Sequence, residues 1–162
     1  MSTLDPNVYR TALDLVAARQ QDEYDVFIDV LAELTDEYAP VGVLGVFAVT
    51  RLSLRQASLI ASSSASAVLA GLRVEAVPEA QPVVPIVLTL LYTSTEDPRA
   101  ATSMARELGA DERAEASIVV LADVSIAMAE RVTRFSGLPG PQVVAAWRQQ
   151  TEDMLARRGH AA

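Results

Sequence analysis

Residues 111–135, DERAEASIVVLADVSIAMAERVTRF, decide the fold class. Within them Ala114, Ile118, Leu121, Ser125, Met128, Val132 and Phe135 recur at alternating steps of four and three. That is the period of a helix with one buried seam. With Asp111 as its cap, the stretch predicts the longest and most buried helix of the chain. At 1.5 Å per residue it would be roughly 37 Å long.

Working outward, Ser136 to Pro141 reads as a Gly/Pro turn and Pro141 to Arg158 as the last helix. Val143, Val144, Trp147, Met154 and Leu155 would face inward. Arg157 and Arg158 suit the C-terminal dipole, with Gly159 as the stop and a short disordered tail from about residue 159. Upstream, Asp97-Pro98 opens a helix that ends at Gly109, read as a C′ glycine. Asp5-Pro6 opens the first helix in the same way, and Val8, Ala12, Leu15 and Val16 carry it to about Gln20.

A second helix is expected from Asp22 to Tyr38, with Tyr24, Phe27, Ile28, Leu31, Leu34 and Tyr38 as its apolar stripe and Pro40 as the break. Val41 to Thr50 is apolar on every side and predicts a buried helix whose Gly42 and Gly45 admit a close neighbour. Ser53-Leu-Arg-Gln56 fits a capping box and predicts a fresh helix start, running to about Leu72. Three prolines mark Arg73 to Pro85 as a connection. Ile86 to Tyr92 suits strand or helix by periodicity. Helix is preferred because no partner strand is evident. The expectation is an all-α, single-domain bundle of about six to eight helices over residues 1–162.

Leu13 to Leu34 and Leu88 to Leu108 share a plan. Each reads apolar helix, acidic break (Asp22, Asp97), then a helix ending Glu-Leu, and a longer apolar helix follows. Few identities support the match and it needs one deletion. Chance similarity between two Ala-rich hairpins is therefore preferred, with two related helical hairpin halves as the alternative.

The net charge of −8 opposes non-specific binding to nucleic acid or an anionic membrane. The absence of cysteine excludes disulfides, thiolate catalysis and Cys-ligated metal. All thirteen basic residues are arginine. Codon bias of a GC-rich bacterial genome accounts for this more simply than selection against lysine modification. Met1 to Asn7 lacks the pattern of a signal peptide. The uncharged runs Gln56 to Leu72 and Ala80 to Thr95 are interrupted by serine or proline, so neither supplies a spanning segment. A cytoplasmic protein follows. The positive mean hydropathy predicts a homo-oligomer that buries apolar surface between subunits, with Val41 to Leu72 as the interface.

The candidate partner-binding residues are acidic. Asp25, Asp29, Glu33 and Asp36 are spaced four, four and three, so a regular helix places them on one face, and no basic residue shares that helix. Like charges at i,i+4 repel by a few tenths of a kcal/mol. Such a stripe suits a hard cation or an Arg-rich partner. The plain alternative is a solvated outer face.

Other chemistry is poorly served. All-α nucleotide pyrophosphohydrolases hold magnesium between Glu-x-x-Glu and a later Glu-x-x-Asp. Here Glu33-x-x-Asp36 and Glu112-x-x-Glu115 stand in the reverse order and far apart, so that reading is rejected. Arg51, Arg55 and Arg73 lie in an acid-free stretch, yet Ser53 to Arg73 has no turn glycine for a helix-turn-helix. His160, the single histidine, follows Gly159 near the chain end and is not held as a catalytic residue needs. Trp147 reads as a core anchor. No phosphate-binding glycine loop, metal site or cofactor is expected. By elimination the expected function is a non-enzymatic helical interaction or regulatory module of a bacterial cytoplasm, with a basic protein partner. The alternative is a small-molecule binder or enzyme with a carboxylate-based site between helices.

Overall fold

Two long helices cross at the middle of the molecule. The computed structural model describes residues 4–160, with side chains to residue 159. Met1–Thr3, part of the segment read for a signal peptide, and residues 161–162 of the expected tail lie outside the described residues. The helices in chain order are α1 (Pro6–Gln20), α2 (Tyr24–Ala32), α3 (Gly42–Ala61), α4 (Ala65–Ala70), α5 (Val84–Glu96), α6 (Pro98–Gly109), α7 (Ala114–Ser136) and α8 (Gly140–His160). Among the described residues there is no strand, so the chain is all-α.

The crossing pair is α3 and α7, and α1, α5, α6 and α8 pack around it. Ile118, Leu121, Ser125, Met128 and Val132 of the expected seam are all buried. Ser117, Val120, Ala122, Val124 and Ala129 are buried too, so α7 is enclosed on most sides. Phe135, the last residue of the seam, is 55% exposed. The helix begins at Ala114, later than expected, because Asp111 caps the turn before it: Oδ1 accepts from the Arg113 backbone N–H at 2.7 Å.

α3 shares the central place and corrects the expected break at Ser53. Ser53 is buried and its hydroxyl donates to the Thr50 carbonyl at 2.6 Å. Gln56 accepts from the Trp147 indole N–H. Both side chains have better partners than a capping box offers, and no glycine or proline interrupts the helix, so it continues to Ala61. It ends there because Ser62 turns left-handed, at φ 51°. A new N-cap, Ser64, accepts from the Ala67 N–H at 3.1 Å to start α4. By length and composition α3 is also the one described helix apolar enough to cross a membrane, but 56% of its apolar window is buried inside the chain. Within the expected oligomer interface, Val41 to Leu72, the first half of α3 is therefore core, and Leu59, 73% exposed, is the main apolar side chain that α3 leaves outside.

The glycines allow close neighbours as expected. A Cβ at Gly42 would overlap the Leu34 carbonyl, and one at Gly45 would overlap a Val8 methyl. Gly109 belongs to this group. It is the last residue of α6, not a left-handed C′ residue, and a Cβ there would overlap the Pro40 carbonyl oxygen. Gly159 does not stop α8, which runs through His160, so the tail expected from residue 159 is helical at its start.

The two halves of the chain follow the same helical plan, as the alternative of two related helical hairpin halves expects. Thr50 of α3 and Ser125 of α7 are 75 residues apart, and their hydroxyls hydrogen bond to each other at 2.9 Å. Each hydroxyl also lies within hydrogen-bond distance of the carbonyl four residues back, Thr50 of Val46 at 2.9 Å and Ser125 of Leu121 at 3.0 Å, so the two hydroxyl hydrogens are shared among these acceptors. The same spacing pairs buried Val43 with Ile118, Val46 with Leu121, Val49 with Val124 and Ala57 with Val132. It pairs Val8, Ala12, Leu15 and Val16 with Val83, Val87, Leu90 and Leu91, and Val68 and Leu69 with Val143 and Val144. It also pairs the left-handed caps Ser62 and Gly137. One residue less pairs Phe27, Leu31 and Leu34 with Ala101, Ala105 and Leu108. Contact between equivalent residues is what an approximate two-fold relation between the halves produces.

Candidate functional site

α2 follows α1 through a tight turn in which Asp22 is left-handed, at φ 54°. It has only nine residues and reaches the core through Phe27 and Leu31. Leu34 continues that line on the next turn. The expected apolar stripe was wider. Tyr24 and Ile28 face outward instead, 68% and 41% exposed, and Val26 joins them at 44%. A short helix seated by one narrow row of side chains has no inward place for the others.

After Ala32 the helix widens into a π-turn, Glu33–Glu37, closed by the Tyr38 N–H on the Glu33 carbonyl at 3.0 Å. The Thr35 hydroxyl occupies the Leu31 and Ala32 carbonyls at 3.0 and 3.2 Å, which loosens the regular ladder there. The widened turn changes the acidic stripe. Asp25, Asp29 and Glu33 keep the regular spacing, but each residue of a π-turn advances through a smaller angle, so Asp36 falls off their line. Asp25, Asp29 and Asp36 are exposed and Glu33 is half-buried.

The cation that touches α2 is already engaged. Arg19 lies over the Phe27 ring at 5.4 Å and binds Asp123 at 2.9 Å. Burial pushes the Asp123 carboxyl above its usual range against the pull of Arg19, and its Oδ2 is buried without a hydrogen-bond partner. Asp14, on the groove side of α1, is held by Arg148 at 2.9 Å. Between α1 and α2 runs a shallow groove of about 280 Å³, with Ala17, Ala18, Val26 and Val30 along it and Asp14, Gln21 and Glu23 at its rim. The surface is thus apolar in the groove, acidic around it, and bare of free cations.

The other singled-out residues do not gather here. Arg51 lies over the Phe47 ring at 5.7 Å, and burial, then the nearby Arg55, lowers its pKa from the usual guanidinium range. Trp147 is fully buried, a core anchor as expected. Among the described residues, no three His, Asp or Glu side chains come together as metal ligands would. The carboxylates were legible from their spacing. The outward Tyr24, Val26 and Ile28 were not, and the signal that finds them is the brevity of α2. No protein family, curated protein or solved structure matches the chain.

Proposed function

We propose that the chain is a non-enzymatic interaction module of a bacterial cytoplasm that docks a basic, partly apolar segment of another protein on α2. One observation carries this reading. α6 occupies the equivalent place in the other half and presents Arg99, Thr102, Ser103 and Arg106 where α2 presents Asp25, Ile28, Asp29 and Ala32. Folding alone is satisfied by the mixed polar face of α6. On α2 exposed apolar side chains flank the carboxylates on both sides, Val26 toward the groove and Tyr24 and Ile28 away from it. Carboxylates around an apolar groove favour a partner with apolar anchors flanked by arginine or lysine, because complementary charge speeds encounter and fixes register.

The test uses two variants of the intact chain, each checked for helicity. In the first, Asp25→Asn, Asp29→Asn and Glu33→Gln remove charge. In the second, Tyr24→Ser, Val26→Ser and Ile28→Ser remove the apolar anchors. Partners captured by the wild type should bind the charge variant more slowly, with the difference shrinking as salt is raised. They should leave the anchor variant faster. Recovery of the same partners at the same rates by both variants would reduce this face to a solvated surface. If sedimentation shows a dimer that only the anchor variant loses, the occupant is a second copy of this chain.

A further inference from the structure

The two halves differ most where α4 stops. α8 continues past Val144, and Trp147 packs against Gln56 of α3. Its counterpart α4 ends at Ala70, and the chain turns away through Gly71 toward α5. The strip of α7 that a longer α4 would cover stays open as a cleft of about 330 Å³. Leu72, Arg73, Glu130, Arg131 and Arg134 line it, and Gly71 forms its edge.

Three arginines around one cleft are unexpected in a chain of net charge −8. Among the described residues, none of the three takes part in an ion pair. The repeat shows why Arg73 is free. Its equivalent 75 residues on is Arg148, which is held by Asp14. The equivalent of Asp14 is Thr89, whose hydroxyl donates to the Pro85 carbonyl at 2.8 Å. The cation persists where its carboxylate does not. Arg131 stands where α3 has Gln56, and its Nε is buried without a hydrogen-bond partner. Gly71 gives its guanidinium room, since a Cβ there would approach Nη1 to 3.2 Å. A buried donor left unpaired is costly, and an acceptor in the cleft would relieve it. Glu130 is the one acid of the lining. It is exposed and forms no ion pair among the described residues.

We infer that this cleft binds a phosphate group, either inorganic phosphate or the monoester of a small molecule. Guanidinium forks match phosphate oxygens two at a time, and three of them exceed what one carboxylate can satisfy. The volume lies at the small end of ligand pockets, which fits a small metabolite. A nucleic-acid polymer is disfavoured by the net charge.

The probes are inorganic phosphate and glycerol 3-phosphate, titrated into the intact chain at low ionic strength and followed by calorimetry and thermal shift. Chloride at matched ionic strength is the control. Saturable binding is expected, with a rise in melting temperature that chloride does not reproduce. Arg131→Gln should weaken it by about tenfold or more, a loss of about 1.4 kcal/mol. Arg131→Lys should restore only part, because an ammonium lacks the fork. Arg73→Gln and Arg134→Gln, both at exposed residues, keep the test open if the Arg131 variants fold poorly. Tighter binding of glycerol 3-phosphate would identify a monoester site, and equal binding a phosphate site. Absence of saturable binding by both probes, or equal affinity in wild type and all arginine variants, would overturn the inference.

Discussion

Replacing Leu121 by alanine tests the crossing of α3 and α7 directly. Leu121 is fully buried, and its carbonyl lies within hydrogen-bond distance of the Thr50 and Ser125 hydroxyls, at 3.2 and 3.0 Å. Loss of three carbons removes about 2.4 kcal/mol of transfer free energy at about 0.8 kcal/mol per carbon. The cavity left behind adds to this. Two crossed helices pinned by the Thr50–Ser125 hydrogen bond collapse poorly around a void. The total therefore belongs in the upper part of the range for such substitutions, at about 4 kcal/mol. For a chain of this size the melting temperature should fall by about 8–16 °C. Urea titration with an unchanged m-value would assign the loss to the native state. Phe135→Ala is the companion. Phe135 continues the same sequence seam but is 55% exposed, so its loss should stay near or below about 1 kcal/mol. A Leu121→Ala cost below about 2 kcal/mol, or equal costs at both positions, would refute the placement of this crossing.

Gly109→Ala should destabilise the fold by about 1–3 kcal/mol, even though alanine is the better helix former, because the added Cβ meets the Pro40 backbone oxygen, which no rotamer change moves away. Gly159→Ala, with open space around it, should not destabilise, and thermal melts of the pair check both. The raised Asp123 pKa means the native state holds its proton to higher pH than the unfolded chain, whose ordinary value is about 3.9. That contribution to stability is present at low pH and is lost as pH rises from about 4 through the raised native value, then levels off. Asp123→Asn should remove this slope from the stability profile measured by urea titration across pH, and an unchanged profile would contradict the assignment.

The helix starts were legible because they are local. Asp5 accepts from the Asn7 N–H at 2.9 Å and Asp97 from the Ala100 N–H at 3.1 Å, as the two Asp-Pro pairs imply. The Ser53 start was not, because the same serine pattern serves a continuing helix when Thr50 and Trp147 supply other partners. Gly109 was read as a turn residue because close approach to Pro40 is a contact across the fold, invisible to spacing. The repeat was hidden by exchange of side-chain volume at equivalent buried positions. Gly45 faces Val120 in the alignment of the halves, Phe47 faces Ala122, and Ser53 faces Met128. Each exchange keeps the position buried and erases the identity. At the candidate site, charge spacing gave the carboxylates. Which side of α2 faces inward depends on how few side chains seat it.

The approximate two-fold relation makes each half an internal control for the other. Where both halves need the same thing to fold, they keep it: the buried rows of α3 and α7, the left-handed caps, and the narrow seats of α2 and α6. A departure that folding does not require is then a candidate for function. Two departures stand out, and they are opposite in charge. On α2 the outer face has exchanged the mixed polar character of α6 for carboxylates and exposed apolar side chains. Beside α4 the chain has left open what α8 covers, and has kept Arg73 without the carboxylate that holds Arg148. Neither change improves packing. Exposed apolar area gains nothing from burial, and an unpaired buried guanidinium nitrogen is a cost. Random drift would erode charge and shape at a surface independently. At each of these places charge and shape agree, acidic residues around an apolar groove in one and arginines around a cleft in the other. That agreement is the ground on which both are proposed as binding surfaces, and the outer face of α6 lacks it.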